Sequence, residues 1–301
     1  MHDLRYYTGQ YYQHHRALKS RDNTLKWHQG AHRHFFRVCN IQTVDEITRE
    51  AIRNFIFLKS QEGRSAETIR SYVRSVKAFY RWLLEEEYVT NNIFLKKIHL
   101  PQTDERPLKL IAREDLKKIR NILEVYPYYQ NLLEKLRTKA IFALYMHTGM
   151  RKTEALEIRM ESVKLKERII LIEKSKTRDC RNVIISDDLF AMLDEYTAYL
   201  KDQGLKTEYL FFSSDLKLPL SDGALRSIKE KIEAFGRKRF KIKNFTLHMF
   251  RHSYISYGIV DGLPLPYIMN QVGHTQITTT QGYTHRPQKE MMASLSRYSP
   301  F

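Results

Sequence analysis

Four residues near the end of the chain have the types and the spacing that a phosphoryl-transfer site requires. His248 and Arg251 are three residues apart, so on a helix they lie on one face. His274 follows a glycine that can end a helix, and Tyr283 lies nine residues further on. Phosphoryl transfer needs a nucleophile, cations beside the non-bridging oxygens, and groups that exchange protons with the attacking and leaving oxygens. A tyrosine, an arginine and two histidines can supply these functions without a metal ion.

Each of these residues also has an ordinary interpretation. The chain contains 19 tyrosines and 12 histidines, and most such residues in proteins are packed or solvated rather than catalytic. Helical spacing alone does not distinguish them, since His252 shares the face of His248. A reactive site is therefore indicated only if suitable partners occur elsewhere in the chain.

Two cationic residues in the middle of the chain are candidates for such partners. Gly149 is a suitable helix C-cap, and a new helix is expected near Thr153, which places Arg151 at a helix start. An arginine there can bind a phosphate together with backbone N–H groups, although it is more often an ordinary surface residue. Lys176 lies in the basic segment EKSKTRDCR between two β-branched runs, where it is either a proton donor or a solvated turn lysine.

The composition indicates a folded protein with a polyanionic partner. A chain of 301 residues is long enough for two domains, and a hydrophobic content of 42% supports ordered structure. The 51 Lys and Arg residues exceed the 34 Asp and Glu residues and give a net charge of +17. Proteins this basic most often bind nucleic acid, with a membrane surface or plain solubility as alternatives.

The sequence favours a cytoplasmic protein with no membrane partner. No apolar run approaches the roughly 18 residues of a membrane span, and the first residues contain no signal-peptide core. Cys39 and Cys180 form neither a C-x-x-C pair nor a metal-binding set, so we expect two free thiols. No G-x-x-x-x-G-K-[ST] motif for ATP is present.

Residues 1–100 are expected to form a helical domain. Residues 1–23 are polar and rich in Tyr and His, and they fit a leading helix or a flexible arm equally well. A short helix is favoured from Thr24 to Cys39. The segment Thr43–Glu46 has the T-x-x-E form of a capping box, which predicts a helix from there to about Ser60.

The clearest helix of this half follows Ser65, a residue type that often caps helices. Its apolar residues recur at i, i+3, i+4 and i+7 and predict one buried stripe, formed by Ile69, Tyr72, Val73, Val76, Phe79, Tyr80, Leu83 and Leu84. A second stripe, at offsets of 4, 3 and 4, is wholly cationic and consists of Arg70, Arg74, Lys77 and Arg81. Such a stripe is often just a solvated face, but a single sign of charge also suits DNA phosphates.

Two prolines and no periodicity predict a linker over residues 101–107. A helix should begin at Ala112, and a longer one should span Asn131–Thr148 with its apolar face formed by Leu133, Leu136, Ala140, Ile141 and Leu144. Strands are predicted at Arg168–Ile172 and Asn182–Ile185. A basic run before Phe245 is a further candidate for phosphate contact and contains Arg237, Lys238, Arg239, Lys241 and Lys243.

In these residues the chain resembles the tyrosine recombinase family, also called the phage integrase family of site-specific recombinases. The resemblance covers nearly the whole chain and implies a mainly α-helical fold with a small β-sheet or hairpin. It implies a helical, SAM-like core-binding domain over residues 1–100, a linker over 101–107, and a mixed α/β catalytic domain with a C-terminal tail over 108–301. The first 22 residues are too few for the arm-binding domain of larger members, so we expect the minimal two-domain form.

Two boxes in the middle of the chain carry part of this resemblance. HTGMRKTEALEIR is similar to the family's T-G-x-R-x-x-E-x-x-x-L box, which implies Arg151 as the first catalytic arginine and Glu154 as its supporting acid. The family places its catalytic lysine five residues before an arginine that opens the next strand. Arg181 fits that arginine, which indicates Lys176 rather than Lys174 as the catalytic lysine.

Two further boxes, near the end of the chain, carry the rest of the resemblance. LHMFRHSYIS is similar to the H-x-L-R-H box and implies His248 and Arg251, with Phe250 in place of the usual leucine, a change expected to affect packing only. VGHTQITTTQGYTH is similar to the L-G-H-x-x-x-x-T-T-x-x-Y-x-H box and implies His274 and Tyr283. Each box alone is moderately specific, whereas four boxes in order and with the expected separations are hard to obtain by chance.

The resemblance implies site-specific DNA recombination through a 3′-phosphotyrosyl intermediate on Tyr283, with no cofactor, metal or ATP. The implied partners are double-stranded DNA with a specific site, further copies of the chain in a tetramer on synapsed DNA, and an accessory DNA-bending or directionality factor. A monomer is expected free in solution. We expect the integrase or excisionase of a mobile element; the alternatives are an Xer-like chromosome or plasmid dimer resolvase and a non-catalytic DNA-binding relative.

Two further enzyme classes are less compatible with the sequence. A type IB topoisomerase uses the same chemistry but relaxes one duplex as a monomer, and the two-domain length with a C-terminal tail favours recombination. A metal-dependent transposase or nuclease needs clustered carboxylates for two metal ions, and no recognisable motif of that kind is present in the sequence.

Overall fold

The computed structural model describes residues 3–103, 108–173 and 180–273. The chain divides into two units, Met1–Arg106 (unit 1) and Pro107–Phe301 (unit 2). Each unit has its own hydrophobic core. Across the three described ranges, no helix is both long enough and apolar enough to cross a membrane.

Unit 1, where described, contains four α-helices: α1 (Leu4–Ala17), α2 (Asp22–Cys39), α3 (Arg49–Gln61) and α4 (Ala66–Glu85). The carboxylate of Asp3 accepts a hydrogen bond from the backbone N–H of Arg5 at 3.0 Å and caps α1. Of the two alternatives open for residues 1–23, the helix is therefore the one observed for Leu4–Ala17. The second helix begins two residues before Thr24 and ends at Cys39, as predicted.

The helix predicted to open at the capping box of Thr43–Glu46 does not form there, and this prediction was wrong. The carboxylate of Glu46 does bond back to the start of the segment, but only a single 3-10 turn follows. Ile47 then leaves the helical region, with ψ of 80°, and places its side chain in the core at 1% exposure. The long helix starts later, after its own cap Thr48, whose hydroxyl accepts from the N–H of Ala51 at 3.1 Å.

The fourth helix forms as predicted from its local pattern. The hydroxyl of Ser65 accepts a hydrogen bond from the backbone N–H of Thr68 at 3.3 Å. Most of the predicted apolar stripe is buried, whereas Tyr72 and Leu84 are only partly buried. Burial of each large apolar side chain stabilises the fold by roughly 1.5–3 kcal/mol relative to exposure, so this stripe contributes to the stability of the unit 1 core.

Unit 2, where described, contains seven α-helices: α5 (Arg113–Val125), α6 (Leu132–Thr148), α7 (Lys152–Leu156), α8 (Asp187–Asp202), α9 (Asp222–Phe240), α10 (Leu247–Val260) and α11 (Leu265–Val272). The predicted inward residues of α6 are buried, with Leu133 only partly so. Three helices, α5, α8 and α10, pack against α6. Its pattern therefore shows little amphipathic contrast, as expected for the central helix of a domain.

A three-stranded antiparallel sheet lies between α7 and α8, in the order β1 (Val163–Lys164), β2 (Ile169–Glu173) and β3 (Cys180–Ile184). The third strand begins two residues earlier than predicted, and the two-residue β1 was too short to be predicted by periodicity. Ile172 pairs with Arg181 across the sheet. In β3, Arg181 and Val183 are buried while their neighbours are exposed, so Arg181 points into unit 2.

Candidate active site

The turn between α6 and α7 determines where Arg151 lies. Gly149 ends α6 in the left-handed conformation, with φ of 58°, as predicted, and its N–H donates to the carbonyl of Tyr145 at 3.1 Å. A Cβ at this position would lie 2.8 Å from the ring of Tyr254 in α10. Only glycine fits both the positive φ and the close contact with Tyr254. The chain can therefore turn tightly at Gly149, and α7 begins three residues later.

Arg151 is linked through Glu154 to the buried Arg181. The carboxylate of Glu154 accepts from the Arg151 Nη1 at 2.9 Å and from the Arg151 backbone N–H at 3.1 Å. It also accepts from both Nη atoms of Arg181, at 2.7 and 3.3 Å. Burial tends to raise the pKa of Glu154, but the bonds and charges of Arg181 and then of Arg151 outweigh it and hold that pKa below its usual value. Glu154 therefore stays ionised and orients Arg151.

Arg251 lies deeper in unit 2, at 3% exposure. Its Nη1 donates to the carbonyl of Gly149 at 2.9 Å and to the carbonyl of Val272 at 2.6 Å. These carbonyls belong to the ends of α6 and α11, where intrahelical donors are lacking. The Nη1 of Arg151 donates to the next carbonyl, that of Gly273, at 3.0 Å. The two guanidinium groups thus bind consecutive carbonyls and are neighbours.

His248 joins this cluster from the first turn of α10. Burial is the largest cause that lowers its pKa, and the charges of Arg251 and Arg151 lower it further. Its ring stands edge-to-face with that of His252, with centroids 4.4 Å apart. Burial, His248 and Arg251 lower the pKa of His252 to about 4. Both imidazoles are therefore neutral at pH 7, and a neutral imidazole is able to accept a proton.

Phe250 packs as the sequence led us to expect. It is 1% exposed and lies edge-to-face against Phe142, with ring centroids 5.9 Å apart. A second edge-on contact joins it to Phe245 at 5.5 Å. The aromatic ring of Phe250 thus packs α10 against Phe142 of α6.

The remaining catalytic candidates, Lys176, His274 and Tyr283, lie outside the described residues. Gly273, which precedes His274, does end α11 with φ of 69°, as predicted. A Cβ on Gly273 would lie 2.6 Å from the guanidinium carbon of Arg181. The end of α11 is therefore pressed against the same arginine that pairs with Glu154.

A cleft of about 400 Å³ opens beside His248, with α9 as one wall. It contains cations that the sequence analysis did not single out: Lys152, Arg226 and Lys229. Lys152 pairs with Asp222 at 2.5 Å, and Lys229 pairs with Glu233. Lys152 lies on α7, whereas Arg226 and Lys229 lie three residues apart on α9. The three cations come together only because both helices line the same cleft, so the sequence did not indicate them as a group.

The cationic stripe of α4 is only partly available to a partner. The Nη1 of Arg70 donates to the carbonyl of Pro101 at 3.1 Å, and the ammonium of Lys77 lies 5.6 Å from the ring centre of Phe94. Arg74 lies 3.7 Å from the carboxylate of Glu67. Arg81 is exposed. Three of the four candidates, Arg70, Arg74 and Lys77, thus contact other groups of the chain.

The basic run before Phe245 forms the last turn of α9 and the segment after it. Its five cations are all exposed, namely Arg237, Lys238, Arg239, Lys241 and Lys243. The residues between them face inward: Phe240 packs against Phe235 with ring centroids 6.1 Å apart, and Ile242 is buried. Cations at a helix C-terminus also favour the helix dipole, so part of this charge has a structural role.

No group of three or more His, Cys, Asp or Glu side chains suited to a metal ion occurs among the residues that the structure describes.

Comparison with known proteins gives matches over both units. Residues 109–290 match the phage integrase family, and residues 6–100 match the phage integrase SAM-like domain. The chain is similar to the tyrosine recombinase XerD of Staphylococcus haemolyticus, with 25% identity over 263 residues that cover 86% of this chain and 85% of that protein. It is also similar to the tyrosine recombinase XerC of Bacillus pumilus, with 25% identity over 286 residues that cover 92% and 90% of the two chains.

Among solved structures, the chain is similar to the Tn1549 transposon integrase in complex with a circular intermediate DNA. The TM-score is 0.73 with 16% identity, and the alignment covers 97% of this chain and 99% of that one. At this identity the likeness shows a shared fold. The expected fold, a mainly helical protein with a small antiparallel sheet, a SAM-like N-terminal domain and an integrase catalytic domain, is confirmed.

Proposed function

Since this chain belongs to the phage integrase family and is a tyrosine recombinase, an enzyme that breaks and rejoins DNA at specific sites, we propose that Tyr283 is its nucleophile. The observation that carries the proposal is the cluster in which Arg151 and Arg251 bind consecutive carbonyls beside a neutral His248. The hydrogen bonds of this cluster hold its side chains in place without bound DNA.

The charges of the cluster favour a phosphate as the missing partner. Arg151, Arg181 and Arg251 are cations, and Glu154 is the carboxylate bound to the first two. A phosphodiester would supply the negative charge that the cluster lacks. The side chain of Arg151 is 43% exposed and can reach a substrate, whereas Arg251 is held by backbone carbonyls. Such preorganised cations stabilise the additional charge of a pentavalent phosphate most effectively.

The proposed reaction is an in-line attack on the scissile phosphate. The Tyr283 oxygen forms a bond to phosphorus while the bond from phosphorus to the 5′-oxygen breaks, leaving a 3′-phosphotyrosyl DNA end. Unperturbed tyrosine has a pKa of about 10, so its proton needs an acceptor, for which we propose His248. Lys176 donates a proton to the departing 5′-oxygen, and His274 donates a hydrogen bond to a non-bridging oxygen. Rejoining reverses these steps with a 5′-hydroxyl from another strand.

This exchange replaces one phosphodiester by another of similar energy, so the proposed reaction consumes no ATP and requires no metal ion. Exchange between two duplexes involves four strand cleavages, which we propose are made by four copies of the chain on synapsed DNA. The exposed cations Arg74 and Arg81 and the basic run at the end of α9 are proposed contacts to the DNA backbone.

The biological setting we propose is integration and excision of a mobile element. A second setting, resolution of chromosome or plasmid dimers, is favoured by the likeness to XerD and XerC proteins over most of their length. Both settings use the same strand chemistry and differ in where the DNA site lies.

Covalent trapping tests the proposed chemistry. The purified protein is mixed with nicked duplexes from the DNA flanking its own gene, with EDTA present, and adducts that survive denaturation are sought. The wild type and Tyr267→Phe, a change at an exposed tyrosine of α11, are expected to form the adduct. Tyr283→Phe is expected to form none. An adduct that persists in Tyr283→Phe would show that another residue is the nucleophile, and an adduct that EDTA abolishes would contradict the metal-free mechanism.

The trapped DNA also distinguishes the two settings. Sequencing of duplexes recovered with the wild-type protein from fragmented genomic DNA is expected to return the two ends of an element that carries the gene. Recovery of a single chromosomal site remote from the gene would instead support dimer resolution.

A further inference from the structure

The chain just before α5 is fastened to α10 at three points. The backbone N–H of Ile111 donates to the hydroxyl of Ser253 at 2.8 Å, and the hydroxyl of Tyr257 donates to the carbonyl of Ile111 at 2.8 Å. Arg113, the first residue of α5, extends the contact, because its Nη2 donates to the carboxylate of Asp261 at 2.6 Å. Ser253, Tyr257 and the C-cap Asp261 recur every four residues, so they follow one face of α10 and are called here the α10 clamp.

The two bonds to Ile111 satisfy backbone groups that are shielded from water. Ile111 lies outside any helix or strand and is 4% exposed, so its N–H and its carbonyl both need partners within the protein. Both partners are side chains of α10, and Ser253 is itself 1% exposed. The guanidinium of Arg113 lies 4.3 Å from the ring centre of Tyr257 and restricts the orientation of that ring. The contact between Ile111 and α10 is therefore closely defined.

The α10 clamp points away from the catalytic candidates of the same helix. Ser253 follows His248 by five residues and Arg251 by two, which places it roughly 140° and 160° around the helix from them. The clamp therefore touches neither side chain directly. A shift or rotation of α10 would nevertheless move both of them, because they lie within its first two turns.

We propose that the α10 clamp positions His248 and Arg251 for the reaction, with Ser253 and Tyr257 as positioning residues that act through the helix. This proposal rests on the proposed function, because that reaction gives the two side chains their roles. A small misplacement of reacting groups by a change far from the chemistry can lower a rate by about a hundredfold. Asp261 contributes least, since its side chain and that of Arg113 are 53% and 47% exposed and solvent screens such a pair.

The substitution Tyr257→Phe tests the clamp, because it removes only the hydroxyl and keeps the ring beside Arg113. The full chain is assayed for adduct formation on the trapped duplex, and the rate is expected to fall about tenfold or more. Tyr129→Phe is the matched control: the Tyr129 hydroxyl donates to the carbonyl of Leu123 at 3.0 Å, and this tyrosine is also partly buried. It should lower the unfolding temperature similarly and leave the rate unchanged. An equal fall in rate for both variants would attribute the effect to lost stability and overturn the clamp.

A second readout follows the position of His248 without DNA. Its imidazole is titrated by NMR in the full chain, and its signal is identified by its absence in His248→Gln. Burial first, and then Arg251 and Arg151, lower the pKa of His248. These arginines, His252 and the charged residues of the adjacent cleft are unchanged in both Tyr→Phe variants. Release of α10 exposes the imidazole further, so its pKa should rise toward 6.5 by roughly half a unit in Tyr257→Phe and stay unchanged in Tyr129→Phe.

The substitution Ser253→Ala removes the other bond to Ile111. It leaves a buried N–H without its acceptor, so the rate and the titration should change in the same directions as in Tyr257→Phe. The fall in rate of the double variant should be smaller than the product of the two single effects, because both bonds hold the same residue. If Ser253→Ala does not fold, Tyr257→Phe and its control decide the matter.

The outcomes separate the α10 clamp from the proposed function. If His248 titrates alike in the wild type and both Tyr→Phe variants and Tyr257→Phe forms the adduct at the wild-type rate, the clamp is overturned and the proposed function is unaffected. If the titration moves in Tyr257→Phe alone and its rate falls, the clamp is supported. If the wild type forms no adduct through Tyr283, the proposed function fails, and with it the claim that the clamp serves this reaction.

Discussion

Arg251 is a charged residue that is almost fully buried. A buried cation is costly unless it is paired or hydrogen-bonded. Here the carbonyls of Gly149 and Val272 accept from one of its nitrogens and hold the guanidinium before any substrate is present. The residue therefore has two roles, since it joins the ends of α6 and α11 and presents a fixed positive charge.

The substitution Arg251→Lys should separate these roles. A lysine ammonium keeps the charge but has no planar fork, so it cannot reproduce both carbonyl bonds and a substrate contact together. We expect adduct formation to fall by about a hundredfold or more and the free energy of unfolding to fall by roughly 1–3 kcal/mol. Rates of adduct formation and denaturant titrations check this. Arg120→Lys, at an exposed position of α5, should change neither quantity, and an Arg251→Lys protein with wild-type rates would contradict the role of the guanidinium.

His248 allows a prediction about pH. Its pKa is lowered from 6.5 by burial and by Arg251 and Arg151, so the neutral, proton-accepting form persists as the pH falls below 6.5. The second-order rate of adduct formation, which reports on the free protein, should therefore fall to half at a pH below 6.5. In His248→Gln the overall rate should drop and this acidic limb should disappear. A midpoint above 6.5, or the same limb in His248→Gln, would count against His248 as the acceptor.

At the scale of elements, α11 is docked on the free edge of β3 by an amide side chain. The Oε1 of Gln271 accepts from the N–H of Ile184 at 3.0 Å, and its Nε2 donates to the carbonyl of the same residue at 2.7 Å. Gln271 thus pairs with β3 as a neighbouring strand would and covers an edge that otherwise exposes backbone groups. The contact fixes the end of α11, which precedes His274, against the strand that carries Arg181.

The substitution Gln271→Glu should loosen this contact. A carboxylate keeps one acceptor but loses the donor, and it turns an oxygen toward the carbonyl of Ile184. We expect the free energy of unfolding of unit 2 to fall by roughly 1–3 kcal/mol and the amide of Ile184 to exchange hydrogen faster. The same change at the exposed Gln203 should have little effect on either measurement. Unchanged exchange at Ile184 would show that the strand edge does not depend on Gln271.

The elements that could be predicted from the sequence are those whose signals act within one turn. The cap at Ser65 and the glycine ends at Gly149 and Gly273 all depend on neighbours a few residues away. The capping box at Thr43 does form, but the helix that it opens ends after a single turn, where Ile47 is buried in the core. Local signals therefore predict where a helix can start, while core packing decides how far it continues.

The supports of the candidate site could not be predicted in the same way. Arg251 and Gly149 are separated by 102 residues, and Gln271 and Ile184 by 87. Bonds between a side chain and a distant backbone group leave no pattern in the sequence, since any residue can supply the carbonyl. The resemblance of the sequence boxes indicated the candidate catalytic side chains. Only the fold shows which hydrogen bonds keep those side chains in position.

At the scale of the whole molecule, net charge and histidine content act together. The chain carries +17 with its histidines neutral, and protonation of its 12 histidines adds self-repulsion. Two of them, His28 and His32, are buried residues of α2 that bond to the hydroxyl and to the carbonyl of Ser75 in α4, respectively. Burial first, and then nearby histidines, lower their pKa values to about 4 and about 3.

The protein should therefore lose stability in mild acid. The unfolded chain binds protons at these histidines near pH 6.5, while the folded chain does not until the pH is far lower, so stability is greatest above 6.5 and falls below it. Each of the two histidines costs up to about 1.4 kcal/mol per pH unit in this window. Urea titrations from pH 7 to pH 5 check this. His28→Gln should reduce the pH dependence and His99→Gln, at an exposed site, should not; a free energy of unfolding that stays flat would contradict it.

The placement of the two tryptophans has an optical consequence. Trp27 lines a groove of about 380 Å³ beside α2, whereas Trp82 is 6% exposed in the core of unit 1, and unit 2 has no tryptophan. Tryptophan fluorescence therefore comes from one indole at the groove and one buried indole, and the emission of the buried indole serves as an internal reference. A ligand seated on α2 would quench or shift the first emission and leave the second unchanged, so the protein reports occupancy of this groove without a label.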